Sequence, residues 1–207
     1  MDQRRARGHR TRAAITEAAM DLFSTEGYET TTVDDIVARA GVAQRTFFRH
    51  FATKDDILFA GYVERLDEAT RRFRASRATS LWAALAESSD AVAAAIDERP
   101  DVFLARARLY HDVPSLRATM LRINEEWIDQ IADEVARWLG VDARTDLRPR
   151  LAATVVNGAN RTAIATWVTT GGHDDLAVIM SGAMDLLRPT ITRIEQSTTE
   201  QRHVDVV

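Results

Sequence analysis

The chain has 207 residues, 45% apolar and 28% charged, enough for one or two compact domains with a sizeable core. It holds no cysteine, which excludes disulfides, thiolate catalysis and cysteine-ligated metals. The net charge of −4 does not announce an anionic partner, but its distribution does: residues 1–54 carry eight Arg and one Lys against seven acids, while residues 55–207 carry 18 basic and 24 acidic residues.

The first twelve residues concentrate this charge in Arg4, Arg5, Arg7, Arg10 and Arg12, a basic arm or a solvated terminus. Arg outnumbers Lys 26 to 1, so arginine abundance alone says nothing about function. There is no signal-peptide core and no run of about 18 apolar residues, so a cytoplasmic protein without membrane spans is expected.

Helical periodicity then dominates. Ile15, Ala18, Ala19, Leu22 and Phe23 predict a first helix over about 10–25, stopped by Gly27. Thr32 is placed to cap a second helix, with Val33, Ile36 and Val37 inward and Gly41 at its end. A short third helix covers Gln44 to Phe51. Thr53 and Asp56 form an aspartate capping box for a fourth helix over 54–75. After the linker at 76–80, helices are expected over 80–97, 101–112, 115–139, 146–170 and 174–196. Residues 197–207 lack periodicity and read as a frayed tail. The fold class is therefore all-α, with about nine helices.

The second helix, the turn "AGVA" and the third helix make a helix-turn-helix pattern, whose second helix is shaped for the major groove. Phe47 and Phe51 are four apart and share the core face. Gln44, Arg45 and Thr46 stand at the end that meets base edges, where Gln suits adenine and Arg suits guanine. Arg49, His50 and Lys54 lie within reach of phosphates, and the Thr32 hydroxyl is placed to donate to another. A charged three-helix bundle without a DNA role is the plainer alternative.

The run "TTVDDIVARAGVAQRTFFRHFATKDDIL", Thr31 to Leu58, preceded by "AAMDLFSTEGYET", resembles the DNA-binding domain of the TetR family of transcriptional repressors. The resemblance covers about residues 10–58 and implies an all-α homodimer. Residues 1–54 would form the DNA-binding domain, 54–75 a connecting helix, and 76–207 a ligand-binding and dimerisation domain. The partners implied are a palindromic double-stranded DNA operator and a small-molecule effector, apolar or similar to an acyl-coenzyme A. No cofactor, metal or membrane is implied. Thr32, Gln44, Arg45, Thr46, His50 and Lys54 occupy positions that contact DNA in the family. Two residues depart from its pattern. Phe48 stands where Tyr is frequent and has no hydroxyl for a phosphate, so sugar or backbone packing is expected of it. Ala43 stands where Ser often caps the third helix, giving up a cap worth about 1 kcal/mol.

In the C-terminal half, Trp82, Phe103, Tyr110, Trp127, Trp138 and Trp167 supply large apolar walls, with most of the six serving simply as core. Phe103, Tyr110, Met120, Asn124, Trp127, Asn157, Asn160, Arg161 and Trp167 are the candidate effector residues. Asn157, Asn160 and Arg161 fall at i, i+3 and i+4, so one shared face is expected, answering to a ligand or to interhelical hydrogen bonds. Arg106, Arg108 and His111 would meet an acidic ligand group or line a solvated face.

An enzyme is disfavoured. His9, His50, His111, His173 and His203 show no metal spacing, and no nucleophile elbow or phosphate-cradling loop appears. The remaining rival is an architectural or nucleoid-associated DNA-binding protein without an effector.

Overall fold

The computed structural model describes residues 2–97 and 100–204. The side chains of Arg4, Arg5, His111 and His203, named above, lie outside the described residues. Among those described there are nine α-helices and no strand: α1 Asp2–Thr25, α2 Val33–Ala40, α3 Gln44–His50, α4 Lys54–Ala75, α5 Leu81–Asp97, α6 Pro100–Asp112, α7 Pro114–Leu139, α8 Leu147–Thr169 and α9 Leu176–Val204. Among the described residues no helix is long and apolar enough to cross a membrane.

Contacts divide the chain into two compact units, Met1–Tyr62 and Val63–Val207. In the first, Ile15, Ala19, Leu22 and Phe23 of α1 are buried, as are Ile36 of α2, Phe47 of α3, and Ile57 and Leu58 of α4. Local chemistry sets the element ends. The Thr32 side chain accepts from the Asp35 N–H at 3.2 Å, while the Thr32 N–H donates to Asp35 Oδ2 at 2.8 Å, a reciprocal capping box. Gly41 ends α2 at φ 64°, a conformation that favours glycine, and the Val42 N–H closes onto the Val37 carbonyl at 3.0 Å. Thr53 Oγ1 accepts from the Asp56 N–H at 3.3 Å while Asp56 Oδ2 accepts from the Ala52 and Thr53 N–H groups, the capping box that opens α4. At Ala43 no side chain caps α3.

The second unit buries a larger core drawn from the rest of α4 and from α5 to α9, including Phe73, Leu85, Ile96, Ile131, Val135, Trp167, Met180 and Ile191. α8 packs between α7 and α9, and α9 also lies against α5. Buried Glu134 accepts from Arg74 and Arg137. Burial acts to raise its carboxyl pKa, but the two guanidinium groups outweigh it and hold the pKa below the ordinary value. Glu195 accepts from the Leu81 N–H at 2.9 Å and from Trp138 Nε1 at 3.0 Å, pinning the start of α5 and the end of α7 to α9.

Two predicted boundaries shift. α1 begins at Asp2 instead of about residue 10, and α9 runs on to Val204 instead of fraying after 196. Neither extension has an apolar stripe, so periodicity could not find it. In α1, helix formers such as Arg and Ala and the absence of an early proline allow the backbone to continue.

Candidate nucleic-acid interface

α3 is split lengthwise. Phe47 is fully buried, Thr46 and His50 are half-buried, and Gln44, Arg45, Phe48 and Arg49 are exposed. The exposed four relate as i, i+4 and i, i+3, so they form one continuous face. The opposite side is anchored by rings: the Phe47 centroid lies 5.9 Å from that of Phe51, and the Arg12 guanidinium sits 4.7 Å from the Phe51 ring centre. Arg12, counted with the basic arm, thus helps hold α1 against the helix-turn-helix.

Several predicted DNA contacts already have partners within the protein. Gln44 Nε2 donates to Asp34 at 2.9 Å, tying α3 to the start of α2. The Thr32 hydroxyl donates to Asp35 at 2.5 Å, so a phosphate would have to displace that carboxylate. Lys54 Nζ donates to the Tyr28 and Thr31 carbonyls at 2.7 and 3.0 Å and lies 4.2 Å from the Tyr28 ring centre. Two of its three donors therefore fasten the α1–α2 loop. The Tyr28 hydroxyl donates to Asp55, and burial, reinforced by that bond, raises its pKa. His50 Nε2 is buried without a hydrogen-bond partner. Its pKa is lowered first by desolvation and then by Arg49 and Arg12, which favours the neutral ring.

In the second unit the candidate effector residues separate. Phe103, Tyr110, Asn124, Trp127, Asn157, Asn160 and Trp167 are buried, and Met120 is half-buried. Asn157 Nδ2 donates to Asn124 Oδ1 at 3.0 Å, and Asn124 Nδ2 donates to the Met120 carbonyl at 2.8 Å. Trp127 Nε1 donates to the Leu66 carbonyl, and Trp167 Nε1 to the Asp174 carbonyl. Both indoles thus serve as satisfied core. Asn160 Nδ2 donates to Ser89 at 3.1 Å, but its buried Oδ1 has no partner. Arg106 Nε on α6 is likewise buried and unpartnered, whereas Arg108 is exposed.

Arg161 does not join this interior. Residues 160 and 161 lie about 100° apart around a helix. That step carries Arg161 to the exposed side of α8, into an open groove with Gly158, Thr162, Ala165, Thr166 and Thr169.

Residues 15–60 match the family described as "Bacterial regulatory proteins, tetR family", and residues 79–192 match the "MftR C-terminal domain". The transcriptional regulator TcmR of Streptomyces glaucescens is 32% identical over 194 residues, 88% of this chain and 84% of the relative. The chain belongs to the TetR family of transcriptional regulators. MftR of Mycobacterium tuberculosis, a regulator named for mycofactocin biosynthesis, is 28% identical over 88% of this TetR-family chain and 91% of its own. Two solved structures share the fold. FadR of Bacillus subtilis in complex with stearoyl-CoA matches with a TM-score of 0.60 at 21% identity, covering 84% of this chain and 96% of that one. SmeT in complex with triclosan matches at 0.63 and 20%, covering 86% and 90%.

In this TetR-family regulator the helix-turn-helix was legible from spacing, but the internal ties of Gln44 and Lys54 were not. A carboxylate ten residues before Gln44 and carbonyls 23 and 26 residues before Lys54 give no periodic signal. The unpartnered Arg106 Nε and Asn160 Oδ1 stand out only once burial is known.

Proposed function

We propose that this regulator is a repressor that binds a palindromic operator as a homodimer through α3 and is released by a small molecule held in the second unit. The observation that carries the DNA half is the exposed face of Gln44, Arg45, Phe48 and Arg49 on the second helix of a TetR-type helix-turn-helix. Gln44 and Arg45 would read base edges, with Arg49 and His50 toward the backbone; Thr46, expected at base edges from the sequence, is half-buried and would turn to the backbone with them. Thr32 and Lys54 act first as organisers of the turn. Lys54 keeps one donor for a phosphate. Chromosomal DNA is the target, so the site of action is the cytoplasm.

The homodimer reading rests on the outer face of α8 and α9. Leu147, Val178 and Leu186 are 71%, 66% and 82% exposed, apolar surface that a partner copy would cover. A Cβ added at Gly158 or Gly182 would meet nothing within 4 Å, leaving room for close backbone approach. Pairing of this face across a two-fold axis would present two α3 helices to successive major grooves about 34 Å apart.

For the effector, Phe103 and Tyr110 offer apolar walls, and Asn160 Oδ1 and Arg106 Nε offer an unused acceptor and donor. The stearoyl-CoA and triclosan seen in the two solved relatives support an effector with a large apolar body and a polar end. Release requires that the effector favour a state unable to bind both half-sites, since only differential affinity shifts a population. α4 is the natural lever, because its residues belong to both units.

Footprinting of the DNA flanking the regulator's own gene, with and without long-chain acyl-CoA, tests this reading. One protected palindrome that clears on adding effector is expected. Diffuse protection without sequence preference would instead favour an architectural DNA-binding protein.

A further inference from the structure

Phe48 is the anomaly of the α3 face. It is 52% exposed, although a polar residue would be cheaper to hydrate at a surface position. Its ring is not loose, because buried Phe47 meets it edge-on at 5.3 Å and 83°. Gln44 is one turn before it and Arg45 three residues before it, so Phe48 shares their face and not the Thr46–His50 side.

A phenyl ring has no donor for a phosphate oxygen. A face carrying Gln and Arg toward base edges presents that ring to the same edges. The major groove displays one apolar group there, the 5-methyl of thymine, and an aromatic side chain complements it. We propose that Phe48 reads the 5-methyl group of one thymine in each operator half-site, next to the pairs met by Gln44 and Arg45. This rests on the reading of α3 as the DNA-binding helix. It replaces the sugar or backbone packing expected from sequence with a base-specific contact.

The test begins with an operator selected from random duplex DNA by the full-length protein. Each thymine of that operator is then replaced, one symmetric pair at a time, by deoxyuridine, which removes only the methyl. Binding is compared for the wild type, Phe48→Ala and Phe48→Leu, with thermal melting confirming that each variant is folded. At one thymine position the replacement should weaken wild-type binding roughly four-fold per half-site, the worth of one buried methyl. Phe48→Ala should bind the intact operator more weakly by a similar factor and be indifferent to deoxyuridine at that position. Phe48→Leu, still apolar, should keep part of the sensitivity.

Wild-type indifference to every deoxyuridine would overturn the proposal in favour of sugar packing. So would a Phe48→Ala protein that stays as sensitive as the wild type, or a selected half-site without thymine. Each of these leaves the repressor reading intact, because a specific operator has been bound. Failure to select any sequence would instead remove the repressor reading, and this proposal with it.

Discussion

Lys54 is the single lysine among 27 basic residues, and its surroundings explain why arginine does not stand there. A compact ammonium fits between the Tyr28 and Thr31 carbonyls and over the Tyr28 ring, where a planar fork would not. Lys54→Ala should therefore destabilise the first unit by about 1–2 kcal/mol, read as a lower melting temperature. If Lys54 were only a phosphate contact, the variant would melt like the wild type and lose about one unit of salt slope. His50 supplies a pH dependence with a definite sign. Its folded pKa lies below the ordinary histidine value, so the unfolded chain takes up the proton first on acidification. Stability from this group is complete above about pH 6.5, begins to fall below it, and is fully lost once the folded value is passed. Melting curves between pH 7.5 and pH 5, a range set around about 6.5, should show this decline, and His50→Gln should flatten it.

At the scale of elements, α3 and α8 follow the same rule. Each is sorted by single steps around the helix into a buried and an outward face. In α3 the sorting separates Phe47 from Phe48, and in α8 it separates Asn160 from Arg161. The buried side of α8 carries the Asn157–Asn124 bond to α7, which fixes the register of two helices inside an apolar core. Asn124→Ala would leave the Asn157 amide buried without its acceptor, at a cost of about 1–3 kcal/mol. The Asn124→Ala, Asn157→Leu double variant should recover part of that loss. Urea unfolding of the wild type, the two single variants Asn124→Ala and Asn157→Leu, and the double variant closes the cycle, and strictly additive losses would show that the amides are not coupled.

At the scale of the molecule, exposed apolar area on α8 and α9 is the feature a single chain leaves unresolved. Among the described residues Leu186 is the most exposed large apolar side chain, and it does not belong to the buried core. Leu186→Glu should leave the fold intact, since no buried contact is lost. If the proposed homodimer pairs through this face, sedimentation equilibrium should find the variant monomeric where the wild type is dimeric, and operator affinity should fall with it. A variant that sedimented as a dimer would place the two-fold contact elsewhere.

The sequence by itself determined what nearest neighbours along the chain decide. Helix cores followed from apolar spacing. The ends at Thr32, Gly41 and Thr53 followed from interactions within four residues, and the helix-turn-helix followed from both. Only the tertiary structure decided how polar groups are used. Lys54 meets carbonyls more than twenty residues away, Asn157 meets Asn124 across 33, and Arg161 turns outward beside an inward Asn160. The reason is physical. Burial of an apolar stripe is a property of one helix, whereas satisfaction of a buried donor or acceptor depends on which other helix reaches it. That distinction also bears on Phe48, which spacing sets one step off the Phe47–Phe51 face and packing leaves exposed beside Gln44 and Arg45.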